Sequence, residues 1–149
     1  MRRISRSAIV ECSAQAFYAL VEAIEAYPAF LPWCAAAQVR ERKPGRTVAT
    51  LTLGVKGIRQ SFTTENINVP GRSIDMRLLE GPFKRFAAAW RFTALEANAS
   101  KVEFSLEYEF ANRVAAATLG PVFGRIADST VEAFARRAKA HPDGRESAY

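Results

Sequence analysis

The middle of the chain alternates between apolar and polar residues, the pattern of a β-strand with one buried face. The alternation is most regular over residues 101–110, where every second side chain is apolar. Further strands are predicted at residues 4–12, 39–43, 47–55, 58–69, 73–79 and around 86–92, with turns at 44–45, 56–57, 70–71, 81–83 and 96–100. The strands each have one solvent-exposed face, and the connections between them are short. Both features indicate an antiparallel sheet of about seven strands.

A long helix is predicted after the last strand, in two parts, residues 113–118 and 121–139. Six polar residues fall in one narrow stripe at 100° per residue: Arg125, Asp128, Ser129, Glu132, Arg136 and Lys139. The other positions are mainly apolar or small and spread over roughly 200°, wider than the roughly 100° that a helix on a flat surface needs. The helix must therefore be covered on more than one side. A gap between it and a curved sheet would be an apolar cavity.

Gly120 and Pro121 separate the two parts of this helix. Proline removes a backbone donor, and glycine leaves room for a bend or a close approach. We predict a kink or a helix start at this point. It would serve as a hinge by which residues 113–119 gate the entrance to the cavity.

Two short helices are predicted after the first strand. Ser13 has the side chain of an N-cap, and residues 14–24 carry an apolar helical face. Residues 27–34 are rich in aromatic side chains, but two prolines limit any helix there to a short turn. This segment either caps the mouth of a cavity or is a plug that closes the core.

Length and composition fit one soluble domain. We expect residues 1–140 to form that domain, and residues 141–149 to be a disordered tail. No apolar run is long enough to span a bilayer, and no signal sequence is recognisable, so a cytoplasmic bacterial protein is predicted. Cys12 and Cys34 lack the spacing of a metal site and are predicted to be reduced thiols in the core.

The net charge is +6, from 21 basic and 15 acidic residues. The excess could favour RNA or anionic lipid headgroups, or it could reflect only solvated strand ends. The positions predicted to form a basic surface towards a ribosome or a membrane are Arg2, Arg3, Arg6, Arg40, Arg42, Arg46, Lys84 and Arg85. Contact with the inner membrane would be peripheral and transient, and no DNA partner is predicted.

Candidate catalytic groups are few. His141 is the only histidine, so no nucleophile–histidine arrangement and no metal site can be assembled convincingly. Glu80 and Asp128 are candidate buried acids, but the favoured interpretations are a carboxylate at a strand end for Glu80 and a member of the helix polar stripe for Asp128. We predict that the protein is not an enzyme and requires no cofactor.

Several segments together resemble the coenzyme Q-binding START-like family, whose bacterial branch includes the RatA-type ribosome-association toxins. They are residues 27–34 (YPAFLPWC), 78–84 (LLEGPFK), 90–92 (WRF), 101–110 (KVEFSLEYEF) and 119–123 (LGPVF). The resemblance extends over nearly the whole chain. It implies an α+β helix-grip fold, in which a bent antiparallel sheet wraps around the C-terminal helix and encloses a hydrophobic cavity.

The resemblance implies three possible functions. We favour a non-enzymatic carrier or chaperone for a polyprenyl quinone such as ubiquinone, or for another isoprenoid lipid, that supports respiration. The alternative is a toxin that binds the large ribosomal subunit and blocks subunit association, and a polyketide cyclase or aromatase ranks third. The residues predicted to line a cavity open at the Trp33 and Phe83 end are Trp33, Phe62, Met76, Leu78, Phe83, Trp90, Phe104, Tyr108, Leu119, Phe123 and Ile126. Tyr108 could orient a quinone carbonyl.

Overall fold

Seven antiparallel strands form one sheet in the computed structural model, which describes residues 1–140. The strands are β1 (Arg2–Val10), β2 (Cys34–Lys43), β3 (Arg46–Val55), β4 (Ile58–Val69), β5 (Ser73–Glu80), β6 (Phe83–Glu96) and β7 (Ala99–Phe110). Their order is β1-β7-β6-β5-β4-β3-β2, so consecutive hairpins join β2 to β7 and β1 completes the edge. The predicted α+β fold with a seven-stranded antiparallel sheet is confirmed.

Turn chemistry and bulges shape this sheet. Lys56 and Gly57 both have positive φ, at 50° and 80°, as the two-residue turn between β3 and β4 requires. The strand register shifts between Phe83 and Arg85, and again at four other places in the sheet. Bulges of this kind bend strands and increase their twist, so they curve the sheet towards its helices.

The helices are α1 (Ala14–Glu22), α2 (Tyr27–Phe30) and α3 (Arg113–Ala140), with a 3-10 turn at Ile24–Ala26 before α2. Ser13 caps α1 as predicted, because its Oγ accepts a hydrogen bond from the Ala16 N–H at 3.0 Å. Pro28 lies in the first turn of α2, where a backbone N–H has no partner within the helix, so proline removes no helical hydrogen bond there. The two predicted short helices after β1 are therefore present.

Helix α3 buries the face that its pattern predicts. All six residues of the polar stripe are exposed, whereas Phe123, Ile126, Ala127 and Phe134 are buried. The helix lies against β1 and β7, and the Arg6 guanidinium pairs with the Asp128 carboxylate, which ties β1 to α3.

The predicted helix start at Pro121 is wrong, because α3 continues through this residue. Pro121 is exposed, as is Ala117 one turn earlier, so water can satisfy the Ala117 carbonyl that proline leaves without a donor. The kink and the hinge at Gly120 and Pro121 stay predictions.

Two further boundaries differ from the predicted ones. Strand β2 begins at Cys34 rather than at residue 39, because pairing of Cys34 with Leu53 on β3 extends the strand through three alanines that carry little β-pattern. Helix α1 ends at Glu22, two residues early, and the chain tightens into the 3-10 turn. The predicted disordered tail and His141 lie outside the described residues.

Both cysteines are free and buried, which agrees with their prediction as core thiols. Burial raises the pKa of the Cys34 thiol to about 11 and also raises the pKa of Cys12. Both side chains therefore stay protonated near neutral pH and act as small apolar groups in the core.

Candidate functional site

An apolar cavity of about 70 Å³ lies between α3 and the concave face of the sheet. We call it the aromatic cavity. Its walls come from α2 and the segment after it, from β3 to β7 and from α3. The lining residues are Tyr27, Trp33, Leu51, Leu53, Phe62, Met76, Phe86, Ala88, Trp90, Phe104, Leu106, Phe123, Ile126, Ala127, Thr130 and Phe134. The sheet thus grips the helix around a void, as the resemblance implied.

The structure brings most of the predicted cavity residues together around this void. They are Trp33, Phe62, Met76, Trp90, Phe104, Phe123 and Ile126. Leu78, Phe83, Tyr108 and Leu119 are absent from its walls. Alternation along a strand identifies which side chains face inward, but it cannot separate those that pack together from those that border a gap.

Phe83 and Tyr108 belong to a packed group of rings. The Phe83 centroid lies 5.1 Å from that of Phe123 and 5.2 Å from that of Phe110, while the centroids of Tyr108 and Phe123 are 4.8 Å apart. Because these rings fill the space at their end of the molecule, the expected opening at Phe83 is wrong. Trp33, which was predicted to share this opening with Phe83, is only partly buried and lines the cavity.

The aromatic cavity is small for a ligand site. Pockets for drug-sized ligands typically measure about 300–1,000 Å³, several times the volume of about 70 Å³ found here. A polyprenyl quinone would therefore need the core to open, and the expectation of a preformed, ligand-sized cavity is corrected.

The two hydroxyl groups in the cavity wall are already engaged. Thr130 donates to the Ile126 carbonyl at 2.7 Å, within its own helix. The Tyr27 hydroxyl donates to the Val21 carbonyl, and burial raises the pKa of Tyr27, so the phenol stays protonated. Neither hydroxyl is free to give its proton to a guest.

The segment at residues 27–34 combines its two predicted roles. Tyr27 and Phe30 each place their rings 5.3 Å from the Phe134 ring of α3, in edge-to-face geometry. This part closes the core. Trp33 is partly buried and borders the aromatic cavity, so the end of the segment forms the cavity rim.

Four of the eight predicted basic residues have ion-pair partners, and these lie on different sides of the molecule. Arg42 on β2 binds Glu22 and Glu25 of the α1 region at 3.1 and 2.5 Å. On the outer face of the sheet Arg3 pairs with Glu107 at 3.2 Å. Arg46 pairs with Glu41 and Glu65, Arg6 pairs with Asp128, and Arg40 donates to the Thr50 hydroxyl. These arginines hold the fold together rather than forming one basic surface.

Three of the predicted basic positions and one further cation lie at one end of the molecule. Arg2, Lys84, Arg85 and Arg113 are exposed, and none of them forms an ion pair with an acid of residues 1–140. Arg2 and Arg85 flank neighbouring positions of β7, while Arg2, Lys84 and Arg113 line one surface depression of about 410 Å³. We call these four residues the basic end. Arg113 was missed in the sequence because it stands apart from every other cation along the chain.

The basic end also includes the start of α3. Asn112 caps this helix, since its Oδ1 accepts from the Ala115 N–H at 2.8 Å. The N-terminus of a helix carries a partial positive charge, which adds to that of the four side chains. The arrangement is suited to anions such as phosphate groups.

The outer face of the sheet contains a nearly buried acid, Glu65, between two arginines. Hydrogen bonds from Arg46 and then Arg77 lower the pKa of Glu65. Its contribution to stability is therefore present above the unfolded-state pKa of about 4.3 and is lost as the pH falls through the lower folded-state pKa. We expect Glu65→Gln to lose less stability than the parent on acidification from about pH 5 to about pH 3, measured by urea unfolding at each pH.

The control for this pH effect is Glu96→Gln, which changes an exposed acid that has no ion-pair partner among residues 1–140. It should keep the pH dependence of the parent. Parallel pH profiles for the parent and Glu65→Gln would show that the two arginines do not stabilise the Glu65 carboxylate.

Polar side chains on the inner face of β4 were also missed. Thr64, Asn66 and Asn68 are buried and alternate with Glu65 and Ile67. The sequence of β4 does have polar residues at every second position. Because both faces of this strand carry polar residues, the pattern does not show which face is buried.

Within residues 1–140 no cluster of His, Cys, Asp or Glu could hold a metal ion, and no helix is long and apolar enough to cross a membrane. Glu80 and Asp128 are both exposed, so neither is the buried acid that catalysis in the cavity would use.

Comparison with known proteins agrees with the geometry. The sequence profile of the polyketide cyclase/dehydrase and lipid transport family matches residues 10–135. The chain belongs to this family. Within the family, it is 43% identical to the ribosome association toxin RatA of Pseudomonas aeruginosa over 136 residues, which cover 91% of this chain and 94% of that protein. It is 40% identical to RatA of Escherichia coli over 139 residues, or 93% of this chain and 88% of that one.

A solved structure of low sequence identity shares the fold, and one further relative matches the sequence more weakly. The crystal structure of Zhui, an aromatase/cyclase from a Streptomyces species, superposes with a TM-score of 0.83 at 18% identity and covers 94% of both chains. The mitochondrial coenzyme Q-binding protein COQ10 homolog B of Xenopus laevis is 23% identical over 90% of this chain and 57% of its own length. The relation to RatA is thus much closer than the relation to coenzyme Q-binding proteins.

Proposed function

We propose that this protein associates with the ribosome, as its RatA relatives are named for doing, and that it binds the large subunit and blocks subunit association. The basic end is the surface proposed to contact ribosomal RNA. This was the second of the functions predicted from the sequence, and the identity of about 40% to RatA over most of the chain moves it to first place.

The observation that carries the proposal is the grouping of four exposed cations at one end of the fold. Contacts between cations and phosphates supply most of the sequence-independent affinity for nucleic acid. Cations already paired with carboxylates gain less from a phosphate, because binding would cost them an existing partner. Arg2, Lys84, Arg85 and Arg113 form no ion pair with an acid of residues 1–140. Glu109 lines the same depression and lies opposite Arg85, so the four cations leave a net positive charge at this end.

The closed core supports the same choice. A carrier of a long isoprenoid needs a large apolar space, whereas the aromatic cavity measures about 70 Å³. A protein that acts by surface contact has no such requirement. The coenzyme Q function, favoured from the sequence, rests on the distant relative alone.

The test is cosedimentation with purified large ribosomal subunits over a range of salt concentrations. Arg2→Glu, Lys84→Glu and Arg85→Glu, combined in one variant, should weaken binding at least about tenfold and flatten its salt dependence, because each lost phosphate contact lowers the slope by about one. The helix cation Arg113 is left in place so that the start of α3 is undisturbed.

The matched control carries the same change in net charge elsewhere: Lys56→Glu, Arg59→Glu and Lys101→Glu. These cations are also exposed and form no ion pair with an acid of residues 1–140. The control should bind like the parent. Equal loss in both variants would reduce the effect to net charge, and no loss in either would remove the basic end from the interaction.

A further inference from the structure

The surface depression at the basic end has a mostly apolar lining. It lies between the start of β1, the end of β7 and the start of α3, and it measures about 410 Å³. We call it the end depression. Its apolar and aromatic lining residues are Met1, Tyr108, Phe110, Ala111 and Ala116. A surface that contacted only phosphate groups would need no apolar hollow, so this lining indicates a ligand with an apolar part.

Phe110 is the aromatic residue of the end depression that is not fully buried. It is partly exposed, whereas Tyr108 is only 2% exposed. Phe83 stacks on the Phe110 ring, with the centroids 5.2 Å apart and an angle of 22° between the ring planes. Tyr108 and Phe123 meet the Phe110 ring at 79° and 78°, so Phe83 is the single ring of residues 1–140 that stacks on it. The stack therefore ends at Phe110, where a further flat ring would extend it.

The cations in the end depression come from three different elements. Arg2 belongs to β1, Lys84 to β6 and Arg113 to α3, so anionic groups can be bound on more than one side of the apolar lining. Glu109 lines the same hollow and partly offsets their charge. Three cations against one carboxylate leave the end depression positive. The ligand that suits it therefore combines an apolar part with negative charge.

A nucleotide has both features, because its base is a flat ring and its phosphates are anionic. In an RNA duplex the bases are paired and stacked inside the helix, so only an unpaired nucleotide can place its base against an aromatic side chain. The fourth cation of the basic end, Arg85, is exposed and lies outside the depression. The positive charge thus continues beyond the hollow, which favours an RNA chain with several phosphates over a free mononucleotide.

We propose that the end depression binds one unpaired nucleotide of an RNA loop or bulge, with its base stacked on Phe110 and its flanking phosphates on Arg2, Lys84 and Arg113. The inference rests on the proposed ribosome contact and names the kind of RNA that this contact uses. Stacking on an aromatic ring tolerates any base. The subsite therefore selects unpaired RNA rather than a particular sequence.

The test compares two short single-stranded probes of equal length and equal charge. Both are chains of abasic sugar phosphates, and one of them carries a single adenosine at its centre. The fluorescence anisotropy of a dye at one end measures binding. We expect the parent protein to bind the adenosine probe about tenfold more tightly than the abasic probe, because only the adenosine probe has a base to stack. Cations alone cannot produce this preference, since both probes present the same phosphates.

Substitution of Phe110 then assigns the preference to its ring. Leucine keeps an apolar side chain in the core but offers no ring for stacking, so Phe110→Leu should reduce the preference from about tenfold to below about twofold. The affinity for the abasic probe should stay unchanged, because its phosphates meet the same cations. Phe92→Leu is the matched control, since Phe92 is also buried in the sheet and lies outside the end depression. It should keep the preference of the parent.

A measurement on the parent protein covers the case in which Phe110→Leu does not fold. The ring protons of Phe110 should shift in NMR spectra when the adenosine probe is added, because a stacked base places its ring current over them. They should not shift with the abasic probe, and the ring protons of Phe92 should not shift with either. Unchanged Phe110 signals with the adenosine probe would overturn the proposal.

Equal affinity of the parent for the two probes would contradict a stacked base, and so would a preference that persists in Phe110→Leu. Adenosine monophosphate should bind at least about tenfold more weakly than the adenosine probe, because it has fewer phosphates. Equal binding of the two would overturn the choice of an RNA chain. Binding to phosphatidylglycerol vesicles without binding to either probe would assign the depression to lipid head groups and overturn the proposal as well.

Failure of the nucleotide subsite and failure of the ribosome contact give different results. The triple variant Arg2→Glu, Lys84→Glu and Arg85→Glu should bind both probes more weakly by the same factor, and so keep the preference for adenosine. If this variant loses ribosome cosedimentation but the parent binds both probes equally, the basic end stands and only the stacked nucleotide is removed. If the variant keeps cosedimentation while the parent prefers adenosine, the ribosome contact fails and the subsite for unpaired RNA stands.

Discussion

Phe123→Ala is expected to lower the free energy of unfolding by about 3–5 kcal/mol. Phe123 is only 4% exposed and packs against Phe83, Phe86, Tyr108 and Phe110. Its ring also forms part of the wall of the aromatic cavity. Truncation removes buried apolar surface and enlarges a void that the surrounding rings cannot fill, so both the transfer and the cavity contributions are lost. Urea unfolding of the parent and the variant measures the difference.

The same variant tests whether the enlarged cavity accepts a guest. Apolar cavities in proteins stay dry and bind molecules such as benzene. Saturating benzene should therefore raise the melting temperature of Phe123→Ala more than that of the parent. Leu95→Ala, at a half-exposed position, should change stability by less than about 0.5 kcal/mol and show no benzene effect. A loss below about 1 kcal/mol for Phe123→Ala would contradict the tight packing of the ring cluster.

Gly81→Ala is expected to destabilise the protein by about 1–3 kcal/mol, because the added methyl group has no room. A Cβ at this position would lie 2.7 Å from the Phe62 Cβ and 3.2 Å from the Leu78 Cδ1. The closer of these atoms is attached to the backbone of β4 and cannot move aside without shifting that strand. The turn between β5 and β6 would have to move away from the sheet. Thermal unfolding measures the effect.

Gly124→Ala is the matched control for Gly81→Ala. Gly124 lies within α3, and a Cβ there meets no atom of residues 1–140 within 4 Å apart from its chain neighbours and the adjacent backbone of its own helix. Alanine has a higher helix propensity than glycine, so this variant should be more stable than the parent by up to about 1 kcal/mol. If the two substitutions had the same sign, close approach at Gly81 would not explain its effect.

The sequence predicted the sheet and the helices because their patterns are local. Phe86, Ala88, Trp90 and Phe92 recur at every second position of β6, and all four are buried as expected. Where the predicted start of a strand is wrong, as for β2, pairing with a residue distant in the sequence determines where the strand begins. The start of β2 at Cys34 depends on Leu53, nineteen positions away, which no local pattern reveals.

The candidate sites were less accessible from the sequence, since they depend on which side chains meet in space. The sequence favours Arg42, which has other cations close by, over the isolated Arg113, yet Arg42 is bound by two carboxylates and Arg113 has no ion pair with an acid of residues 1–140. The same holds in the core, where Phe83 and Phe104 are equally good candidates by pattern. Phe104 borders the aromatic cavity, but Phe83 is packed among other rings.

The pairing of β1 with β7 has a consequence for the timing of folding. Arg2 lies opposite Tyr108, so β1 cannot pair until β7 has been synthesised, about a hundred residues later. Contacts this distant along the chain form slowly, because the long intervening segment must first be ordered. Arg2, Lys84 and Arg113 come together only when that pairing is complete. A nascent chain therefore lacks the basic end until β7 and the start of α3 have been synthesised.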